Sequence, residues 1–408
     1  MASAAVDHMV SLIVFMAAIM IFIGIFSQNM QTGINYERHN ALSTKTSDLL
    51  DNILLNPGLP QNWGQSDSSI VGFGLQDPVY SQYKMSSFSA MRLYSAQSPV
   101  YYNGASYSNI TAGFGGYLLA PSANGLNYSV ASKLLGINGT YGFQLNLTPT
   151  ITVSIEKLSV APLHFSINVD GTAYPFANAP ISYSLISVNQ NGNDYPSYSI
   201  TNGVSTTDVA GSTQLTFPQI ISEDQSYAII VYSYLDGLRG VGYYVHDSAT
   251  STKTVTPLVE SFQNSTILLV HGDSVGQYSQ FHPATSQLNY NASFFILAED
   301  YSLRQVQLGT QSSVGKLVYD SIIEKDYASI TLPNNDGILI VAFKSTSGQY
   351  GVALMPWGLG SLAFPLRFGG NPAGQEWVAT DIRQVMIGGI AYQAQLSLWN
   401  LQGYSGSG

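Results

Sequence analysis

The sequence predicts an α+β protein: a long N-terminal hydrophobic helix followed by an all-β head of two or three sandwich-like, immunoglobulin-like modules. Three observations carry this reading. Residues Met9 to Phe26 form an unbroken run of 18 apolar or small residues, and no charged side chain lies between Asp7 and Glu37. Beyond about residue 60 the chain turns polar, Tyr-rich and patterned with the period of strands. The short strand-like runs there are separated by Gly, Ser, Asn and Pro, as in antiparallel sandwiches.

The helix comes first. A run of about 18 or more apolar residues can cross the roughly 30 Å of bilayer hydrocarbon. This one is apolar on every face, so it must be covered by lipid or by copies of itself. No proline interrupts the chain from Ala4 to Leu55, and Asn56-Pro57-Gly58 is the first strong breaker. Past the run, Met30, Ile34, Leu42, Leu49, Leu50, Ile53 and Leu54 recur at roughly helical spacing, with a gap near Arg38, and predict an amphipathic continuation. A helix filling the N-terminal segment 1–56 is about 50 residues at 1.5 Å each, a rod on the order of 75 Å. That is more than twice a bilayer core, so its upper half stands in water or in protein. Gly24 and Gly33 are where it would bend.

The head divides on sequence into three stretches. The first β module, 57–150, closes on Tyr141 to Leu147, where Phe143, Leu145 and Leu147 alternate. The second, 151–250, reads as an immunoglobulin-like sandwich: Ile151, Val153 and Ile155 alternate, then Ile181, Tyr183 and Leu185, and the runs Tyr227 to Tyr234 and Val241 to Val245 close it. The C-terminal β module, 251–408, holds the apolar runs Ile338 to Phe343 and Val352 to Met355. It ends in a hairpin turning at Gly388-Gly389, after which Ile390, Tyr392, Ala394, Leu396 and Leu398 alternate. There is no solenoid period.

Composition narrows the function classes. Only 9% of residues are charged, against 27 Tyr and 38 Gly, so hydroxyls and amides keep the surface wet. A net charge of −10 repels phosphates and excludes a nucleic-acid partner. Cys is absent, which rules out disulfides and thiolate metal sites. The first basic residues, Arg38 and Lys45, follow the apolar run. Under the positive-inside rule that order would leave the head in the cytoplasm, unless a basic leader has been removed to give a mature chain. The head's composition and its six Asn-x-Ser/Thr sequons, at Asn109, Asn127, Asn138, Asn146, Asn264 and Asn291, favour the outside; they are candidate glycan acceptors.

Few residues point to chemistry. Gly272-Asp273-Ser274-Val275-Gly276 matches the G-x-S-x-G elbow of serine hydrolases and follows the strand-like Ile267 to Val270. The elbow needs a strand-to-helix turn, with an acid and then a His after it. No helical pattern follows Gly276, and His282 is the only later His, so a turn is expected. Gly237, Gly240 and Gly242 predict a hairpin turn rather than a phosphate loop. The six His, at positions 8, 39, 164, 246, 271 and 282, lack metal-ligand spacing, and Asp320, Glu324 and Asp326 beside Lys325 read as a solvated charged face. No catalytic residue, metal or cofactor is expected.

Asp7 stands apart. A carboxylate at the edge of a buried helical bundle is costly unless paired. Its partner would be the α-amino group of a processed chain, on the same or a neighbouring subunit; in a lipid headgroup region it needs none.

The start Ala2-Ser3-Ala4-Ala5-Val6, the apolar run, and the continuation from Ser47-Asp48-Leu49-Leu50 to Asn56-Pro57-Gly58 together resemble the archaeal type IV pilin and archaellin-like superfamily. The resemblance covers the first 60 residues. It implies a basic leader removed by a class III signal peptidase, a filament core of packed N-terminal helices, and β-rich heads outside. It also implies identical subunits as partners, a membrane-inserted state before assembly, and a place on the cell surface with an adhesive sheath. The assembly positions would be Met9, Leu12, Ile13, Phe15, Met16, Ile19, Phe22, Ile23 and Phe26. The same run equally serves a single, membrane-anchored surface protein whose head is a binding module or stalk, and both readings stand on sequence alone.

Overall fold

The computed structural model describes residues 2–79, 82–93, 99–110, 118–190, 194–220, 222–235, 237–249, 254–276, 287–298, 301–308, 313–318 and 327–401. The chain is a long apolar helix followed by a head of many strands. The helix, α1 (Ala2–Leu54), runs for 53 residues without a break and so measures about 80 Å. Two short helices, Ser87–Met91 and Tyr128–Leu134, interrupt the otherwise β-rich head.

Only the last third of α1 touches the head. Leu42, Thr46, Leu49, Leu50, Ile53 and Leu54 are buried against the strands Val378–Ile387 and Ile390–Asn400. Its end follows from Asn56-Pro57-Gly58. The Asn56 Oδ1 accepts the Gly58 N–H at 2.8 Å, and Gly58 takes the left-handed φ of +80° that favours glycine. One carbonyl orphaned at the helix end, that of Ile53, is satisfied by the Leu75 N–H at 2.8 Å. The stripe expected from spacing is not one stripe. At about 100° per residue, Met30 and Ile34 sit roughly 110–150° around the helix from the face that Leu42 to Ile53 bury, and both are exposed. The gap near Arg38 is where the apolar face changes sides.

The sheets cut across the three sequence stretches. Tyr141–Pro149, expected in the first module, lies between Ile390–Asn400 and Leu366–Gly369, expected in the last. Val378–Ile387 and the two-residue strand Lys84–Met85 complete this five-stranded basal sheet, the platform for α1. The hairpin turns at Gly388 and Gly389, both at positive φ, as a two-residue turn between twisted strands requires. Everything between Pro149 and Leu366 is thus an insertion into one sheet.

Two sandwiches fill that insertion. In the middle one, Ile151–Val160, Leu163–Gly171 and Ser212–Phe217 form one sheet, and Pro180–Asn189, Ser197–Thr206, Tyr227–Leu235 and Leu238–His246 the other. Rings bridge them: Phe165 meets Tyr244 at 5.4 Å, and Tyr183 meets Phe217 at 5.5 Å. In the outer one, Val255–Ser261, Thr266–His271 and Tyr327–Thr331 share a sheet, opposed by Leu288–Leu297, Leu303–Val306, Val314–Leu317, Gly337–Ser345 and Tyr350–Trp357. Apart from Val314–Leu317, an addition beside the start of Leu288–Leu297, the wiring is the same twice: first, second and fifth strands together, then third, fourth, sixth and seventh. Three strands of the N-terminal segment, Val100–Tyr102, Ala105–Asn109 and Leu119–Pro121, extend the outer sandwich through Leu119 beside Leu258.

The middle and outer sandwiches press together. Tyr234 stacks on Tyr301 at 4.3 Å, the Ser226 hydroxyl donates to the Tyr350 carbonyl at 2.8 Å, and the Asn289 side-chain amide donates to the Asp194 carbonyl. Strands at this contact are covered on both faces, which is why Tyr227–Leu235 and Tyr350–Trp357 read as continuous apolar runs rather than alternating ones. Gly237 makes the expected hairpin turn at φ +83°. Gly240 and Gly242 have another cause: a Cβ on either would lie 2.4 Å from Ile151 Cγ2 or 2.2 Å from the Val153 oxygen, so the strand can lie against its neighbour only without side chains there.

Candidate assembly surface

Residues 7–41 of α1 are exposed throughout. Met9, Leu12, Ile13, Phe15, Met16, Phe22, Ile23 and Phe26 are each more than half exposed, and Ile19 is 39% exposed. The nine expected assembly positions therefore all lie on one uncovered rod. Phe22 and Phe26 stack one turn apart at 6.4 Å, as i and i+4 on a helix do. From Met9 to Phe26 apolar side chains surround the rod, so no face of that stretch is suited to water. Asp7 and His8 sit exposed at its start.

Between the apolar run and the first buried contact at Leu42 stands a polar stalk, residues 27–41, about 22 Å long. Met30, Ile34 and Tyr36 are exposed on it. Where stalk meets head, Asn35, Arg38, His39 and Leu42 face Tyr141 and the Gly374–Trp377 loop across a cavity of about 350 Å³, with the His39 and Trp377 rings 6.4 Å apart.

A charged clamp fixes the rod's direction. Arg383, on the basal strand Val378–Ile387, donates from Nε to Asp51 Oδ1 at 3.1 Å and from Nη2 to Ser47 Oγ at 2.9 Å. Its Nη1 meets Asp381 Oδ1 at 2.7 Å. Burial alone would raise the Asp381 carboxyl, but the Ile382 N–H, the Ser47 hydroxyl and the Arg383 guanidinium hold it below the ordinary carboxylate value. The guanidinium in turn is held charged. No signal in the sequence tied Arg383 to Asp51, which are brought together only by the sheet's return to the helix.

The remaining expected sites fall as follows. Ser274 lies in the short 3₁₀ turn Gly272–Ser274 and is buried, whereas a nucleophile elbow leads into a helix and exposes its hydroxyl. The neighbouring His271 accepts the Asp273 N–H at 3.2 Å. His282, Asp320, Glu324, Lys325 and Asp326 lie outside the described residues. Among the described residues no three His, Asp or Glu side chains are grouped to hold a metal ion.

The sequons separate by geometry. Asn127, Asn138 and Asn264 are exposed, and Asn127 uses only its Oδ1, accepting the Ser129 N–H at 2.8 Å to cap Tyr128–Leu134. Asn146 and Asn291 spend the nitrogen that a sugar would occupy: Asn146 donates to Gln144 at 3.3 Å, and Asn291 donates to the Pro196 carbonyl between the two sandwiches at 3.1 Å. Asn109 is half-buried. Where the chain is glycosylated, sugar is expected on Asn127, Asn138 and Asn264, and not on Asn146 or Asn291; glycopeptide mass spectrometry reads this directly.

No family model matches the chain, and no curated protein matches it. Solved structures with partial likeness include red sea bream transglutaminase (10% identity over 62% of this chain, TM-score 0.18), of which the chain spans 37%. The D0–D1 domain of intimin (12% identity, 55% of this chain and 98% of that one, TM-score 0.19) and the FN1–FN3 domains of chicken CNTN1 (12%, 51% and 68%, TM-score 0.14) are similar to the same degree. At these scores the likenesses carry no argument, and the fold rests on the strand pairing itself.

Proposed function

We propose that this chain is a structural subunit of an extracellular, type IV pilus-like filament of the archaeal kind, assembled by mutual burial of α1 with the β head as an outer, adhesive sheath. The observation that supports it is the free length of the rod. Residues 7–41 amount to roughly 50 Å of helix, well beyond the ~30 Å that lipid covers. Ile34 lies about 12 Å past Phe26 and faces away from the subunit's own head. Neither bilayer nor head covers it, and a neighbouring helix would.

The energy available is large. Burying 18 apolar residues at about 25 cal/mol per Å², with about 100 Å² each, gives on the order of 40 kcal/mol gross before entropy. Before assembly the same run holds the subunit in the membrane. Asp7 then needs a partner in the bundle, such as an α-amino group of a neighbouring copy.

Electron microscopy of material sheared from cells tests the reading: filaments whose mass fingerprint is this chain are expected. A Phe15→Asp substitution should abolish them while leaving the head folded. If only detergent-solubilised monomers are recovered from the native protein, the chain is instead a single anchored surface protein.

A further inference from the structure

Asp336 precedes the strand Gly337–Ser345 at the place where the middle sandwich, the outer sandwich and the basal sheet meet. Its Oδ2 accepts the Ser87 hydroxyl at 2.7 Å, and Ser87 Oγ in turn accepts the Gly360 N–H at 3.1 Å. The residue as a whole is half-buried, but Oδ1 is shut off from solvent and has no hydrogen-bond partner. Three glycines form its seat. A Cβ on Gly358 would lie 1.8 Å from Oδ1, and one on Gly360 or Gly388 would lie 2.4 or 2.7 Å from Oδ2.

These parts come from distant stretches of chain. Ser87 begins a short helix of the N-terminal segment, Gly358 and Gly360 lie on the exit from the outer sandwich, and Gly388 is the turn of the basal hairpin. Arg239, from the last strand of the middle sandwich, donates to the Gly388 carbonyl and leaves its own Nε without a partner. The charged and titratable groups facing the carboxyl are Arg239, Lys84 and Asp77, with the Tyr392 phenol nearby.

We propose that Asp336 is a proton-controlled latch: as a neutral acid it lets the two sandwiches and the basal sheet close on one another, and on ionising it loosens that junction. The seat suits a neutral group, because one hydroxyl alone donates to the carboxyl, and Oδ1, shut in against Gly358, receives no donor at all. Burial pushes the carboxyl up to about 6, against the pull of the Ser87 hydroxyl, Arg239 and Lys84. When the junction is open, an ordinary Asp titrates near 3.9. A carboxyl raised on closure contributes stability that is present below the open-state value and lost as pH rises through the closed-state value, so the window runs from about pH 4 to 7.

A second carboxyl acts in the same direction. Asp247, just after the middle sandwich, accepts the Ala249 N–H at 3.0 Å and lies where a Cβ on Gly351 of the outer sandwich would come within 2.5 Å. Burial pushes it up to about 7, against hydrogen bonds from the Ala249 N–H and the Ser226 hydroxyl. The latch is independent of how copies assemble.

The test is hydrogen–deuterium exchange of the full chain in detergent, read at segments 334–338, 358–361 and 387–390 and corrected for intrinsic rate. Between pH 4.5 and 7.5 the corrected exchange there should rise about 25-fold more in the wild type than in Asp336→Asn, which keeps only the contribution of Asp247. A flat wild-type profile, or the same rise in Asp336→Asn, overturns the proposal. Should Asp336→Asn fail to fold, Ser87→Ala decides: losing the hydroxyl that favours the ionised form must move the midpoint upward, and an unmoved midpoint overturns the latch.

Discussion

Deleting residues 1–41 is expected to convert a detergent-dependent or filamentous protein into a freely soluble monomer with an intact head. Every helix residue buried against the head begins at Leu42, so the deletion removes none of those contacts. What it removes is the whole uncovered rod, and with it on the order of 40 kcal/mol of gross burial. Sedimentation velocity without detergent should show a single species of monomer mass, and unfolding of the truncated chain should keep the cooperativity of the sandwiches. Polymerisation of the truncated protein would show that the heads, not the helices, drive assembly.

The second large effect concerns how the rod is held. Leu50 and Ile53 are fully buried where α1 meets the final hairpin. Leu50→Ala should cost about 3–4 kcal/mol, the usual sum of lost transfer energy and residual cavity. Leu50→Asp adds a carboxylate in an apolar contact, at several kcal/mol more, and should detach the end of the helix. The middle sandwich has a core of its own, whereas the outer sandwich shares one with α1 and the basal sheet, so the loss falls on the helix end and spares the middle sandwich. Limited proteolysis should cut within residues 43–56 at least 100-fold faster in Leu50→Asp than in the wild type, while the middle sandwich stays resistant. Equal cutting rates would mean that Arg383, with Asp51 and Ser47, carries the junction without the apolar contact.

How far the sequence discloses this molecule depends on the range of the interactions. The helix is legible to within two residues, ending at Leu54 where 56 is expected, because an unbroken apolar run and Asn56-Pro57-Gly58 are local signals. The strands Tyr141–Pro149, Tyr227–Leu235 and Ile390–Asn400 are likewise written in alternation or continuity of apolar residues. Their partners are not. Nothing near Leu147 announces that it pairs with Leu366 on one side and Ala394 on the other. The repeated wiring of the two sandwiches is equally silent, since the same strand order is reached with different side chains. Long-range closure also explains why Asp336 and Arg383 escape a linear reading: each is an ordinary charged residue until Ser87 or Asp51 arrives from hundreds of residues away.

The insertion of both sandwiches into the basal sheet has a mechanical consequence. The two ends of the insertion, the tethers Tyr141–Pro149 and Leu366–Gly369, lie side by side in one sheet, and the first is laddered over nine residue pairs to Ile390–Asn400. A tug on the sandwiches along the strand axis therefore strains that ladder lengthwise, so its bonds resist together instead of unzipping singly. Neither tether bears the load alone, and the force passes through the hairpin into the anchored end of the helix.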